Sequence, residues 1–160
     1  MKEGIFMQWY TLCFLKQGTK VLLLNRQKNP WMGRWNGVGG KIEVGETPLN
    51  SAIREIKEET TIDVSELFYG GKLLWTVDHE ITGGLHLFLT ELPEKEYFST
   101  PIATREGILD FKEIDWIFDS KNQGMPDNIP FVLKDLLLNP QENCYMCYFE
   151  NNQFLKVEKQ

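Results

Sequence analysis

The stretch Pro48–Thr60 carries an apolar pattern that suits a helix. Leu49, Ala52, Ile53 and Ile56 fall at i, i+3, i+4 and i+7, the spacing of a single buried helical stripe. Thr47 stands in the N-cap position, and Pro48 occupies the first turn, where a missing N–H is tolerated. With about 100° between successive residues, Glu55, Glu58 and Glu59 share one narrow arc, about a third of a turn from the stripe. The helix therefore predicts three carboxylates side by side at the edge of a core.

The other apolar segments are short and rich in β-branched and aliphatic residues. Residues 8–15 and 20–25 read as a hairpin around Lys16, Gln17, Gly18 and Thr19. Further strands are predicted over 72–77, 85–92 and 111–117, a second helix over 128–138, and a terminal hairpin of 145–150 and 154–157 around Asn151 and Asn152. Between the first hairpin and the first helix, residues 29–40 carry Gly33, Gly37, Gly39 and Gly40 together with Trp31 and Trp35. So many glycines imply tight turns or close approach of the backbone to a ligand. Strands with only two helices, and without a regular βαβ rhythm, predict an α/β chain whose mixed β-sheet is covered by helices, organised as one domain over residues 1–160.

Charge and cysteine usage narrow the function. A formal net charge of -6 leaves no broad basic surface for a nucleic acid polymer, so a polyanionic ligand needs metal cations or a few well-placed basic side chains. Met1-Lys2-Glu3-Gly4-Ile5 has an acidic residue at once and no sustained apolar run, and no window reaches the length of a transmembrane helix. Together these predict no signal peptide, no membrane contact and a cytoplasmic location. Cys13, Cys144 and Cys147 are an odd count that suggests no disulfide framework. Cys144 and Cys147 have zinc-like spacing, but no second Cys or His pair accompanies them, and an odd separation along a strand points them to opposite faces. They read as ordinary buried thiols.

Two readings of Glu55, Glu58 and Glu59 stand side by side. One is a solvated acidic face, the usual meaning of a charge cluster on a helix. Against it, Glu55 and Glu59 form a like-charged i, i+4 pair, which costs a few tenths of a kcal/mol, and both sit late in the helix, where the macrodipole disfavours anions. Arg54, four residues before Glu58, offsets part of this. A hard divalent cation would offset more, since magnesium prefers carboxylate oxygens and binds through a few protein ligands plus substrate phosphates.

Gly40, Glu46, Arg54, Glu55, Ile56, Glu58, Glu59 and Ile62 follow the spacing G-x5-E-x7-R-E-U-x-E-E-x-x-U, where U is aliphatic. This resembles the box of the Nudix hydrolase family, with Thr61 where the family pattern has Gly. The resemblance implies an α/β/α sandwich, hydrolysis of a nucleoside diphosphate linked to another moiety, and dependence on Mg2+ or Mn2+. Carried over residue by residue, it makes Glu55, Glu58 and Glu59 metal ligands together with the carbonyl of Gly40, with Glu106 as a further candidate from a later loop. It makes Arg54 and Glu46 a supporting ion pair, and Glu58 or Glu59 the acceptor of the attacking water's proton. Thr61 lacks the ease of Gly at a left-handed helix end, which bears on the loop that follows.

The run GRWNGVGGKIEVGETP at positions 33–48 is similar to MutT-type members, which remove 8-oxo-dGTP and related oxidised purine nucleotides. Met125-Pro126-Asp127-Asn128 is similar to the segment that carries a purine-reading pair in that branch. Asn donates and accepts, and Asp accepts, so the residue types suit a purine edge; a turn followed by an N-cap would equally explain them. Asn36 is a further base contact, and Lys41 or Arg26 a phosphate contact. Trp31 and Trp35 suit either base stacking or closure over the core. The expectation is a nucleoside triphosphate diphosphatase for purine nucleotides, acting as a monomer or homodimer on a small-molecule nucleotide. The alternatives are another nucleoside diphosphate derivative, such as an ADP-sugar or a dinucleoside polyphosphate, and a binding or sensor module without catalysis.

Overall fold

The computed structural model describes residues 7–160; Met1–Ile5, on which the expectation of no signal peptide rests, lies outside the described residues. No helix among the described residues is long and apolar enough to cross a membrane. In chain order the elements are β1 (Gln8–Gln17), β2 (Lys20–Arg26), β3 (Trp35–Asn36), α1 (Pro48–Thr60), β4 (Phe68–Val77), β5 (Glu80–Glu91), β6 (Ile102–Ala103), β7 (Gly107–Glu113), α2 (Ile114–Ile117), α3 (Ile129–Leu138), β8 (Asn143–Glu150) and β9 (Gln153–Lys159). The described strands form one nine-stranded sheet in the order β6-β7-β2-β1-β5-β4-β8-β9, with β3 paired to β2. It is mixed, because β1 lies parallel to β5 and β4 parallel to β8 while the hairpin partners run antiparallel.

Alternation along β1 explains the layers. Leu12 and Phe14 enter a core shared with Val132, Leu133 and Leu136 of α3, whereas Cys13 and Leu15 enter a second core with Ala52 and Ile56 of α1. Side chains of a strand alternate between faces, so each face of the sheet gains its own apolar layer and its own helix. This is the expected α/β/α sandwich. Two hairpins turn through left-handed residue pairs, Asp78-His79 (φ 49° and 73°) and Asn151-Asn152 (φ 51° and 62°). Such primed turns match the twist of the flanking strands.

One expected strand is corrected. The strand expected over 111–117 holds only to Glu113: β7 is Gly107–Glu113, and Ile114–Ile117 is the helical turn α2. The ladder with β2 ends at Lys20 opposite Glu113, where β2 begins at its own hairpin turn. Having no further partner, the chain turns, and the Ile114 N–H donates to the Thr19 carbonyl (2.9 Å). Cys144 and Cys147 do part to opposite faces, Cys147 fully buried and Cys144 half-buried.

Candidate active site

α1 begins as its sequence dictates, with Thr47 Oγ1 accepting from the Asn50 N–H (3.1 Å). It ends on Thr61, which adopts the left-handed conformation (φ 65°) in spite of its side chain and donates its N–H to the Lys57 carbonyl (2.9 Å). The buried face is rotated from the expected stripe. Ser51, Ala52 and Ile56 are buried, while Leu49 is exposed. Ser51, Glu55 and Glu59 succeed one another at i, i+4 and i+8, so the rotation carries two carboxylates inward. Gly40 makes this possible: a Cβ there would lie 2.5 Å from Glu55 Oε1. Gly39 permits a similar approach to β1, since its Cβ would collide with the Thr11 carbonyl at 2.0 Å. The Gly40 carbonyl accepts from the Thr11 N–H (2.8 Å) and, at 3.4 Å, from the Thr11 hydroxyl.

Arg54 organises the carboxylates. Its Nε and Nη2 donate to Glu46 Oε2 and Oε1, both at 2.8 Å, its Nη1 to Glu55 Oε1 (3.0 Å) and Glu58 Oε2 (3.2 Å), and its Nη2 also to the Lys41 carbonyl (3.2 Å). The guanidinium hydrogen bonds, aided by the Glu43 N–H, hold Glu46 down at about 2. In return Glu46 raises the proton affinity of Arg54 further. Burial raises Glu55 despite Arg54 beside it. Glu59 is the extreme: burial first, then the charges of Glu55 and Glu106, push it up to about 8 even though the Gly39 N–H donates to it. Its Oε2 is buried with no partner. Glu58 differs, with a mostly exposed side chain held by Arg54 alone. Glu55 and Glu59 are thus brought together with Glu106 nearby, while Glu58 stands outside them. Among the described residues no three such groups converge in ready metal-ligating geometry.

On the other side of residues 37–40 lies a cavity of about 850 Å³. Its apolar floor is Leu12, Leu73 and Leu85 of the sheet, and Arg26, Asn36, Gly40, Asp127 and Asn128 all line it. Asn36 Oδ1 accepts from the Gly37 N–H (2.8 Å), and Arg26 Nε donates to the Pro30 carbonyl (2.8 Å). Asp127 pairs with Arg34 Nη1 (3.6 Å), which also donates to the Met125 carbonyl (2.7 Å). Asn128 Nδ2 donates to Cys147 Sγ (3.6 Å), and Asn128 Oδ1 is buried without a partner. Burial pushes the Cys147 thiol up to about 11.

Of the phosphate candidates, Lys41 lies outside the lining with its side chain exposed, whereas Arg26 lies within it. The two tryptophans separate. Trp31 lines the cavity beside Phe149, with ring centroids 6.5 Å apart, while Trp35 packs on the core under the Lys112 ammonium, 4.2 Å from its centroid. Sequence reasoning missed Arg34 and the contribution of the terminal hairpin, Phe149 and residues 152–154. The Asn151-Asn152 turn announces a hairpin, but nothing local says what its tip will cover.

A family model described as the NUDIX domain matches residues 8–121. The chain belongs to the Nudix family. Over 64 residues this Nudix chain is 41% identical to the oxidized purine nucleoside triphosphate hydrolase of Mus musculus, a match over 40% of this chain and 41% of that protein. Over 49 residues it is 51% identical to the dihydroneopterin triphosphate diphosphatase of Escherichia coli K12, covering 30% of this chain and 31% of that one. These matches span well under half of either relative's length. The crystal structure of a mutator MutT protein from Bacillus halodurans superposes with a TM-score of 0.76 at 25% identity, covering 96% of this chain and 97% of that one.

Proposed function

We propose that this Nudix protein is a metal-dependent nucleoside triphosphate diphosphatase that acts on purine nucleotides, oxidised ones such as 8-oxo-dGTP among them, and releases the monophosphate and pyrophosphate. One observation carries the reading. Gly37, Gly39 and Gly40 line the cavity, and Gly39 and Gly40 also meet Glu59 and Glu55, so a nucleotide whose base entered the cavity would carry its phosphates close to the carboxylates. Asn36, Asp127 and Asn128 would contact the base, and Arg26, with Lys41 at the rim, the phosphates. The mouse relative's name agrees with such a substrate.

The carboxylate region fits a divalent cation, since a buried, unpartnered Glu59 Oε2 beside Glu55 and Glu106 is an oxygen-rich, uncompensated site for a hard ion. Glu55, Glu58, Glu59 and the Gly40 carbonyl, with Glu106, would hold Mg2+ or Mn2+. Such an ion supplies neutralisation of phosphate charge and activation of water. Arg54 and Glu46 orient the carboxylates from behind. Glu58 or Glu59 would accept the proton of the attacking water; Glu58 is tied to Arg54, whereas Glu59 Oε2 is unengaged.

The test is release of pyrophosphate from 8-oxo-dGTP and dGTP by purified protein with Mg2+. Absence of pyrophosphate from both sinks the reading, and so would undiminished activity in both Glu58→Gln and Glu59→Gln. A second reading, hydrolysis of dihydroneopterin triphosphate, is favoured by the Escherichia coli relative. The same assay with that substrate decides between them by the ratio of kcat/KM.

A further inference from the structure

The turns of two hairpins, Asp78-His79 between β4 and β5 and Asn151-Asn152 between β8 and β9, lie side by side at one end of the sheet, because β4 and β8 run parallel as far as Val77 opposite Phe149. Asp78 joins the two turns. Its N–H donates to the Phe149 carbonyl (3.2 Å), and its Oδ1 accepts from the Asn151 N–H (3.4 Å). Phe149, Asn152, Gln153 and Phe154 of the second hairpin line the cavity, whereas Asp78 stands outside the lining. The β8–β9 ladder shifts register between Tyr148 and Phe149, and an irregularity of this kind bends a strand and interrupts its pairing. The hairpin's own ladder therefore leaves the direction of its tip open. Phe149 packs on Phe154 (centroids 5.7 Å apart) and on Trp31 (6.5 Å), but ring contacts tolerate a range of angles. A hydrogen bond to the turn fixes one atom of the tip.

We propose that Asp78 is a positioning residue for nucleotide binding: its carboxylate holds the tip of the last hairpin in the orientation that completes the aromatic wall of Trp31, Phe149 and Phe154. This rests on the reading of the cavity as the nucleotide site. The position makes two demands, a left-handed backbone (φ 49°) and a side-chain oxygen that accepts from the neighbouring turn. Asp meets both. Asn meets both as well, since it adopts the left-handed conformation and keeps an amide oxygen. Gly supplies the backbone without the acceptor.

Asp78→Gly and Asp78→Asn thus separate the acceptor from the turn. Three quantities are measured: calorimetric binding of dGMP to metal-free protein, KM and kcat for pyrophosphate release from dGTP with Mg2+, and amide exchange at Asn151. In Asp78→Gly the Asn151 amide is expected to exchange faster, dGMP to bind more weakly and KM to rise, both by about three- to tenfold. The kcat should stay within about twofold, because the carboxylates of α1 are untouched. Asp78→Asn recovers both binding constants. Thermal melts establish that each variant is folded, and Asp78→Ala serves should the glycine variant not fold. KM and kcat are read on dihydroneopterin triphosphate instead if that proves the better substrate. A folded Asp78→Gly with wild-type KM and dGMP affinity overturns the inference, whatever its amide exchange, and leaves the hydrolase reading intact. An equal loss in Asp78→Asn, or a loss confined to kcat, overturns it too. Wild-type protein that binds no dGMP and hydrolyses no triphosphate overturns both readings together.

Discussion

Thr61 holds φ at 65° at the end of α1, a conformation that crowds its Cβ against the following carbonyl. Among the described residues, its exposed side chain has no hydrogen-bond partner that would compensate. Thr61→Gly is expected to raise stability by about 1 kcal/mol, a shift of roughly 2–4 °C in Tm for a chain of this size; a lower Tm would show that the turn is not strained. Gly40 presents the opposite case, a residue whose missing Cβ makes room for a carboxylate. The atoms in the way are the far end of a flexible side chain, so Gly40→Ala should fold normally while displacing the Glu55 carboxylate. Titration calorimetry should then give Mg2+ binding weaker by about tenfold or more, and wild-type affinity in that variant would remove Gly40 and Glu55 from the metal site.

At the scale of elements, α1 was fully legible because cap, proline and apolar spacing agree within thirteen residues. Its rotation was not, since that depends on glycines more than ten residues away that let Glu55 and Glu59 turn inward. β7 was misjudged for a related reason. Phe111, Ile114 and Ile117 form one apolar run in sequence, and only the end of its partner strand, at Lys20, converts the second half into a helical turn. The Arg54–Glu46 pair fixes the angle of α1 against the loop before it, through two 2.8 Å contacts that a lysine cannot reproduce, having no planar fork. Arg54→Lys should therefore lower metal affinity or kcat/KM by about 10–100-fold, as read by initial rates against Mg2+ concentration. Unaltered rates would mean that the charge alone suffices.

For the whole molecule, two of the perturbed glutamates, Glu59 and Glu46, act on stability with opposite signs. Glu59 takes up its proton at about 8 when folded against 4.5 unfolded, so the folded state binds that proton more tightly, and its contribution, full below 4.5, is lost as pH rises toward 8. Glu46, held at about 2, contributes above 4.5 and is lost as pH falls toward 2. Metal-free protein should accordingly lose Tm between pH 4.5 and 8, Mg2+ should restore it most at the upper end, and Glu59→Gln should flatten the slope. An equal slope in that variant would remove Glu59 as its source. The helix-covered mixed sheet was legible from strand and helix periods, the sandwich from the family resemblance, and the carboxylate helix from the box. Of the cavity lining, Arg26, Trp31, Asn36, Asp127 and Asn128 were singled out in the sequence, whereas Phe149 and residues 152–154 were not, because the docking of a hairpin is a tertiary event. That division gives the molecule a seam. Apart from Glu106, the carboxylate cluster comes from one contiguous stretch, 40–59, while the cavity lining is spread over segments before and after it. Exchanging the tip of the last hairpin among relatives is thus a route by which selection or an engineer can reshape the cavity without rebuilding the carboxylate helix.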